Sequence, residues 1–221
     1  MAIIAKKGDS FERDLIPAGN YIARCYKMLE IGTVEGQYMG EKTHQYKVRL
    51  GWEMPLELRV FNPEKGEQPL VIDKEYTLSM GDKANLRKDL ASWRGAGFTE
   101  EEAEKFDITV LVGKACMLNV IHVNGKKDPS KVYQQISGIT SIPKGVTCPA
   151  QINPSQILSY DTFDETLFKS LPDFLRSMIE STPEYKAMRN PQDYEFVDDH
   201  GQLIPQPPDD LLADPDEILP F

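Results

Sequence analysis

Aromatic and basic residues interleave in four short runs: Arg24-Cys25-Tyr26-Lys27, Gln45-Tyr46-Lys47-Val48-Arg49, Arg59-Val60-Phe61 and Lys131-Val132-Tyr133. A single strand of nucleic acid offers unstacked bases to aromatic rings and phosphates to cations, so a groove that holds it needs both residue types on neighbouring strands. The stacking candidates are Tyr26, Tyr46, Trp52, Phe61 and Tyr133. The phosphate candidates are Arg24, Lys27, Lys47, Arg49, Arg59, Lys126, Lys127 and Lys131, the last three flanking a turn signal at Asn124-Gly125. An aromatic on a strand also serves as core, and Tyr46 and Trp52 share their face with Val48 and Leu50.

A second constellation closes the sequence given. Asp216-Glu217-Ile218-Leu219-Pro220-Phe221 sets an aromatic ring, a carboxylate end and two acidic side chains at one point. A partner with an apolar pocket rimmed by Arg or Lys reads all three together. The charge distribution isolates this segment. Residues 1–148 hold 21 Lys and Arg against 20 Asp and Glu, whereas residues 149–221 hold 4 against 15, and the last 32 residues contain nine acids and no Lys or Arg. A formal charge of -10 would oppose a polyanionic ligand if it were spread evenly. It is confined instead to a segment that reads as a solvated interaction tail.

Catalytic patterns are sparse. His44, His122 and His200 fall on separate predicted elements and in no metal-binding cluster. Gly95 and Gly97 lack the flanking residues of a phosphate-cradling loop. The acids from Glu100 to Glu104 suit a helix start. Cys25, Cys116 and Cys148 are odd in number and widely spaced, as reduced thiols in a cytoplasm would be. No enzyme activity, catalytic residue, metal or cofactor is therefore expected, and no stretch approaches a membrane span.

The elements that must position these residues follow from hydrophobic period. Residues 20–31 read as a first strand. Residues 43–53 alternate His44, Tyr46, Val48, Leu50 and Trp52 against Gln45, Lys47, Arg49 and Glu53, which gives a second. A third is expected after Pro55, where Leu56, Leu58 and Val60 alternate with Glu57, Arg59 and Phe61, and residues 70–80 add an extended apolar segment. The period then lengthens. Leu86, Leu90 and Trp93 predict an amphipathic helix with Asp82 as N-cap and Gly95 as stop, and Thr99 with Glu102 has capping-box spacing for a short second helix. Strands at 113–123 and 131–142 complete a β-β-β-α-β-β order. Leu167 to Ile179 predicts one further helix, with Pro172 in its first turn.

This order predicts a mainly β fold: a five-stranded OB-type Greek-key barrel with a helix between strands 3 and 4. Residues 1–148 form the barrel domain, residues 149–189 a helical extension packed on or beside it, and residues 190–221 a disordered acidic tail with a Pro-Phe terminus. With its acidic terminus, the chain resembles bacterial and phage single-stranded DNA-binding proteins, in which an OB barrel precedes a flexible acidic tail. The bacterial tip reads acidic residues, Ile, Pro, Phe, and Leu219 is inserted here between Ile218 and Pro220. Trp93-Arg94-Gly95, Gly113-Lys114-Ala115-Cys116 and the run from Tyr133 to Gly145 also resemble a phage family of replication-associated single-strand binders. The resemblance implies sequence-independent coating of single-stranded DNA in phage replication or recombination. It also implies a cytoplasmic location and recruitment of partner proteins through Asp216, Glu217, Ile218, Leu219, Pro220 and Phe221. Two alternatives are a protein-interaction hub without DNA affinity and a metal-dependent nuclease or annealing protein.

Overall fold

A computed structural model describes residues 15–38, 41–125 and 128–190. Three long strands come first: β1 (Gly19–Tyr38), β2 (Glu41–Asn62) and β3 (Gly66–Thr77). Two helices, α1 (Asn85–Arg94) and α2 (Glu100–Glu104), and a 3-10 turn over Ile108–Leu111 lead into β4 (Ala115–Asn124) and β5 (Val132–Thr140). A short β6 (Gln156–Leu158) precedes α3 (Glu165–Ser170), α4 (Asp173–Ser181) and α5 (Pro183–Arg189). The architecture is mainly β, a curled sheet of five antiparallel strands in the order β3-β2-β1-β4-β5, with β6 paired parallel to β1. The two outermost strands, β3 and β5, approach within 8 Å without ladder hydrogen bonds.

The curl encloses the main core. Val48, Leu50, Trp52 and Met54 point inward from β2, Leu70 and Ile72 from β3, and Leu118 and Val120 from β4. Helix α1 closes the enclosure with Leu86, Leu90 and Trp93, the i, i+4, i+7 stripe read from sequence. Gly95 ends that helix in the left-handed conformation at φ 76°, its N–H bonded to Ala91 O. The Thr99–Glu102 capping box is formed reciprocally.

Bulges in β1 allow one strand to serve two cores. Ala23 and Cys25 face the main core, but the register shifts between Cys25 and Lys27, so Met28 continues inward while Leu29 and Ile31 face out. That outward pair is covered by Leu158, Phe168, Leu171, Leu175 and Ile179, which makes a second core and seats the helical extension on β1. Gly32, at φ 95°, leaves room for this docking; a Cβ there would lie 2.6 Å from Glu184 Oε2 and 3.0 Å from Thr182 Oγ1. Glu184 accepts from Thr33 N at 2.8 Å, and Tyr160 OH donates to Ile31 O at 2.8 Å.

Three expectations are corrected. No strand ends at Pro55, because Pro55 falls in a bulge between Met54 and Leu58, where no ladder donor is required; the third strand is Gly66–Thr77. Asp82 does not cap α1, whose N-cap is Ala84, and its carboxylate pairs with Arg87 at 2.9 Å. The single helix expected over 167–179 is two, α3 and α4, because Leu171 is extended before Pro172. The 190–221 tail is outside the described residues apart from Asn190.

Candidate nucleic-acid interface

Alternation along β2 puts Val48, Leu50 and Trp52 in the core and leaves Gln45, Lys47, Arg49 and Gly51 on the opposite face. Register then selects their neighbours. Gly51 stands between Lys27 of β1 and Asp73 of β3, Arg49 opposite Glu75, and Lys47 opposite Thr77. Asp73 Oδ2 accepts from Lys27 Nζ at 3.0 Å and from Arg49 Nε at 3.2 Å. Lys47 Nζ donates to Thr77 Oγ1 at 3.3 Å and lies 3.9 Å from Glu75 Oε1. Lys27, Lys47 and Arg49 thus converge on Asp73 and Glu75 on one sheet face, with the buried Glu53 carboxylate next along β2 beyond Gly51.

This cationic face has a wall. Helix α4 is seated over Leu29 and Ile31, so its first turn overhangs β2, and the Phe174 ring centroid lies 5.8 Å from the Arg49 guanidinium carbon. At the other side a polar cleft of about 770 Å³ extends from Gln45, Lys47 and Thr77 toward Lys83 and Asn85 at the start of α1. A separate, mostly apolar cavity of about 360 Å³ lies beside Trp93, Phe98 and Phe106. Among the described residues no three His, Cys, Asp or Glu side chains converge as a metal would require. No helix among them is long and apolar enough to cross a membrane.

The fold brings together Lys27, Lys47 and Arg49 of the phosphate candidates. Arg24 is engaged elsewhere: its guanidinium donates to Gly113 O at 2.6 Å and Pro149 O at 2.7 Å, which corrects its assignment as a free phosphate contact. Two stacking candidates are also corrected. Trp52 is fully buried, with Trp93 6.1 Å away, and Tyr26 is the bulged residue of β1 and buried, so neither offers a ring face to a base. Tyr46 is half-buried and donates to Glu30 Oε1 at 2.6 Å; burial and that carboxylate hold its hydroxyl well above the usual phenol range. Phe61 and Tyr133 remain exposed, at 60% and 51%. Lys126, Lys127 and Asp216–Phe221 lie outside the described residues.

Phe61 and Tyr133 belong to two hairpins that project from one end of the sheet. Both β2 and β4 run antiparallel to β1, so the β2–β3 and β4–β5 turns lie past the start of β1. Arg59 accompanies Phe61 on one hairpin, and Lys131, 3.8 Å from Asp128, accompanies Tyr133 on the other.

Sequence reading missed the residues that shape this face from its far side. Glu53 is fully buried, and its carboxylate accepts from Ile152 N at 2.6 Å, Asn153 N at 2.7 Å and Asn153 Nδ2 at 2.7 Å. With Arg24 it straps residues 148–153 across β1 and β2. The available signal for Glu53 was its place on the polar face of β2, which does not distinguish a solvated carboxylate from a buried clamp. Phe174 gave a clearer signal, an aromatic one position off the Leu175–Ile179 stripe of α4. No protein family, curated protein or solved structure matches the chain.

Proposed function

We propose that the chain binds single-stranded DNA without sequence preference, on an OB-type barrel, as a phage-type coating protein in replication or recombination. The observation that carries this reading is the convergence of Lys27, Lys47 and Arg49 on one sheet face. Exposed Phe61 and Tyr133 on two hairpins at one end of the same sheet add ring faces for bases. The strand order, with a helical connection between β3 and β4, agrees with a partly open five-stranded barrel. On this reading cations hold the phosphate chain and aromatics hold bases, with no bond made or broken. Asp216–Phe221 would recruit replication proteins through an apolar pocket with a basic rim.

The test is fluorescence anisotropy of the full chain with labelled oligo(dT), with and without Mg²⁺, followed by a denaturing gel of the DNA. Saturable binding that leaves the oligonucleotide intact is expected. Absence of binding at low salt would overturn the reading in favour of a protein-interaction module, and Mg²⁺-dependent shortening of the DNA would point to a nuclease.

A further inference from the structure

We infer that Phe174, on the helical extension, is a base-stacking platform of the β2–β3 face, an inference that rests on the single-strand-binding reading above. Helix α4 buries Leu175 and Ile179 against β1, while Phe174, a neighbour of that stripe, stays 57% exposed. The helix does not need the Phe174 ring in order to dock. The ring instead overhangs the cationic face, 5.8 Å from Arg49.

Arg49 is suited to the complementary role. Among the described residues its hydrogen bond is made through Nε to Asp73, and its Nη1 lies 4.0 Å from Glu75 Oε2, beyond hydrogen-bond distance. Its Nη groups donate no hydrogen bond among the described residues, but the side chain is only 22% exposed and Nη1 is ion-paired with Glu75, so a phosphate would bind in competition with that carboxylate. The guanidinium and the ring together present a cation beside a π-face. Lys47 is the next outward residue along β2, two positions away, so phosphates can follow the strand from Arg49 to Lys47 while a base turns up onto Phe174. A nucleic-acid strand matches the flat Phe174 ring set beside Arg49, since a ring next to a cation suits a base and its phosphate; exposed Val71 lies on the same face of β3. The helical extension thereby contributes to the groove as well as to the second core.

The experiment compares wild type, Phe174→Ala, Phe174→Leu and Phe174→Trp by oligo(dT) anisotropy, with thermal melts alongside. Phe174→Ala and Phe174→Leu are expected to weaken binding by about tenfold or more at unchanged melting temperature. Phe174→Trp is expected to bind like wild type, with the introduced indole quenched on addition of oligonucleotide; native Trp52 and Trp93 are buried and supply a constant background. If wild type binds and Phe174→Ala binds equally well, or the introduced indole is unquenched, Phe174 is not a platform and the single-strand reading survives. If wild type itself fails to bind, the reading of function fails first.

Discussion

Gly51 and Asp73 face each other across the β2–β3 ladder so closely that a Cβ on Gly51 would lie 2.5 Å from Asp73 Oδ1 and 2.6 Å from Lys27 Cε. The missing side chain is what lets Lys27 fold over the strand and reach Asp73. That ion pair in turn orients Arg49, whose Nε shares the same carboxylate oxygen.

Gly51→Ala should therefore disrupt the cationic face before it disturbs the core. The added methyl displaces a half-buried ion pair, and overpacking of this kind costs about 1–3 kcal/mol. Urea denaturation should report that loss, and oligo(dT) affinity should fall as well, since Arg49 loses its anchor. Unchanged stability and affinity would mean that Lys27 and Asp73 rearrange freely.

Trp52 and Phe61 should separate core from surface. Trp52→Ala removes a fully buried indole and should destabilise the fold by roughly 3–5 kcal/mol. Phe61→Ala should leave the melting temperature nearly unchanged while weakening oligonucleotide binding. Intrinsic tryptophan emission of the native chain should respond little to DNA, because Trp52 and Trp93 are both buried.

Salt dependence should distinguish Lys47 from Arg24. If Lys47 contacts a phosphate, Lys47→Gln lowers the log-log salt slope of oligo(dT) binding by about 0.7. Arg24→Lys should leave that slope alone, since Arg24 donates to the Gly113 and Pro149 carbonyls. Its expected cost is to stability, roughly 1–3 kcal/mol, from leaving those acceptors without their planar donor. Equal slopes in wild type and Lys47→Gln would remove Lys47 from the interface.

Stability should fall in alkali through the buried thiols. Burial pushes the Cys25 thiol from 9.0 up to about 12, and Cys116 is raised in the same direction for the same reason. Both stay protonated in the folded chain after their unfolded counterparts ionise. The Cys25 contribution is complete below pH 9.0 and is lost as pH rises toward about 12, and Cys116 acts in the same direction. Urea midpoints should decline across that window, and less steeply in Cys25→Ala than in wild type. A thiol reagent should label Cys25 and Cys116 only on unfolding.

Local pattern determined much of this molecule from sequence. The alternation of Val48, Leu50 and Trp52 is a period-2 signal that any half-buried strand must obey, and it placed Lys47 and Arg49 on the opposite face. The Leu86, Leu90, Trp93 stripe and the Thr99–Glu102 capping box are equally local, which is why α1 and α2 were legible. Only tertiary structure decided which outward residues meet. Lys27, Arg49 and Asp73 are brought together by ladder register, and a one-residue bulge in β1 turns Leu29 and Ile31 outward to receive α3, α4 and α5. Neither feature leaves a mark within a short window of residues, because each depends on the pairing of distant segments. The same reason accounts for Arg24, Tyr26 and Trp52. Their residue types suited a nucleic-acid groove, but whether a ring or guanidinium is free depends on what the folded chain lays across it.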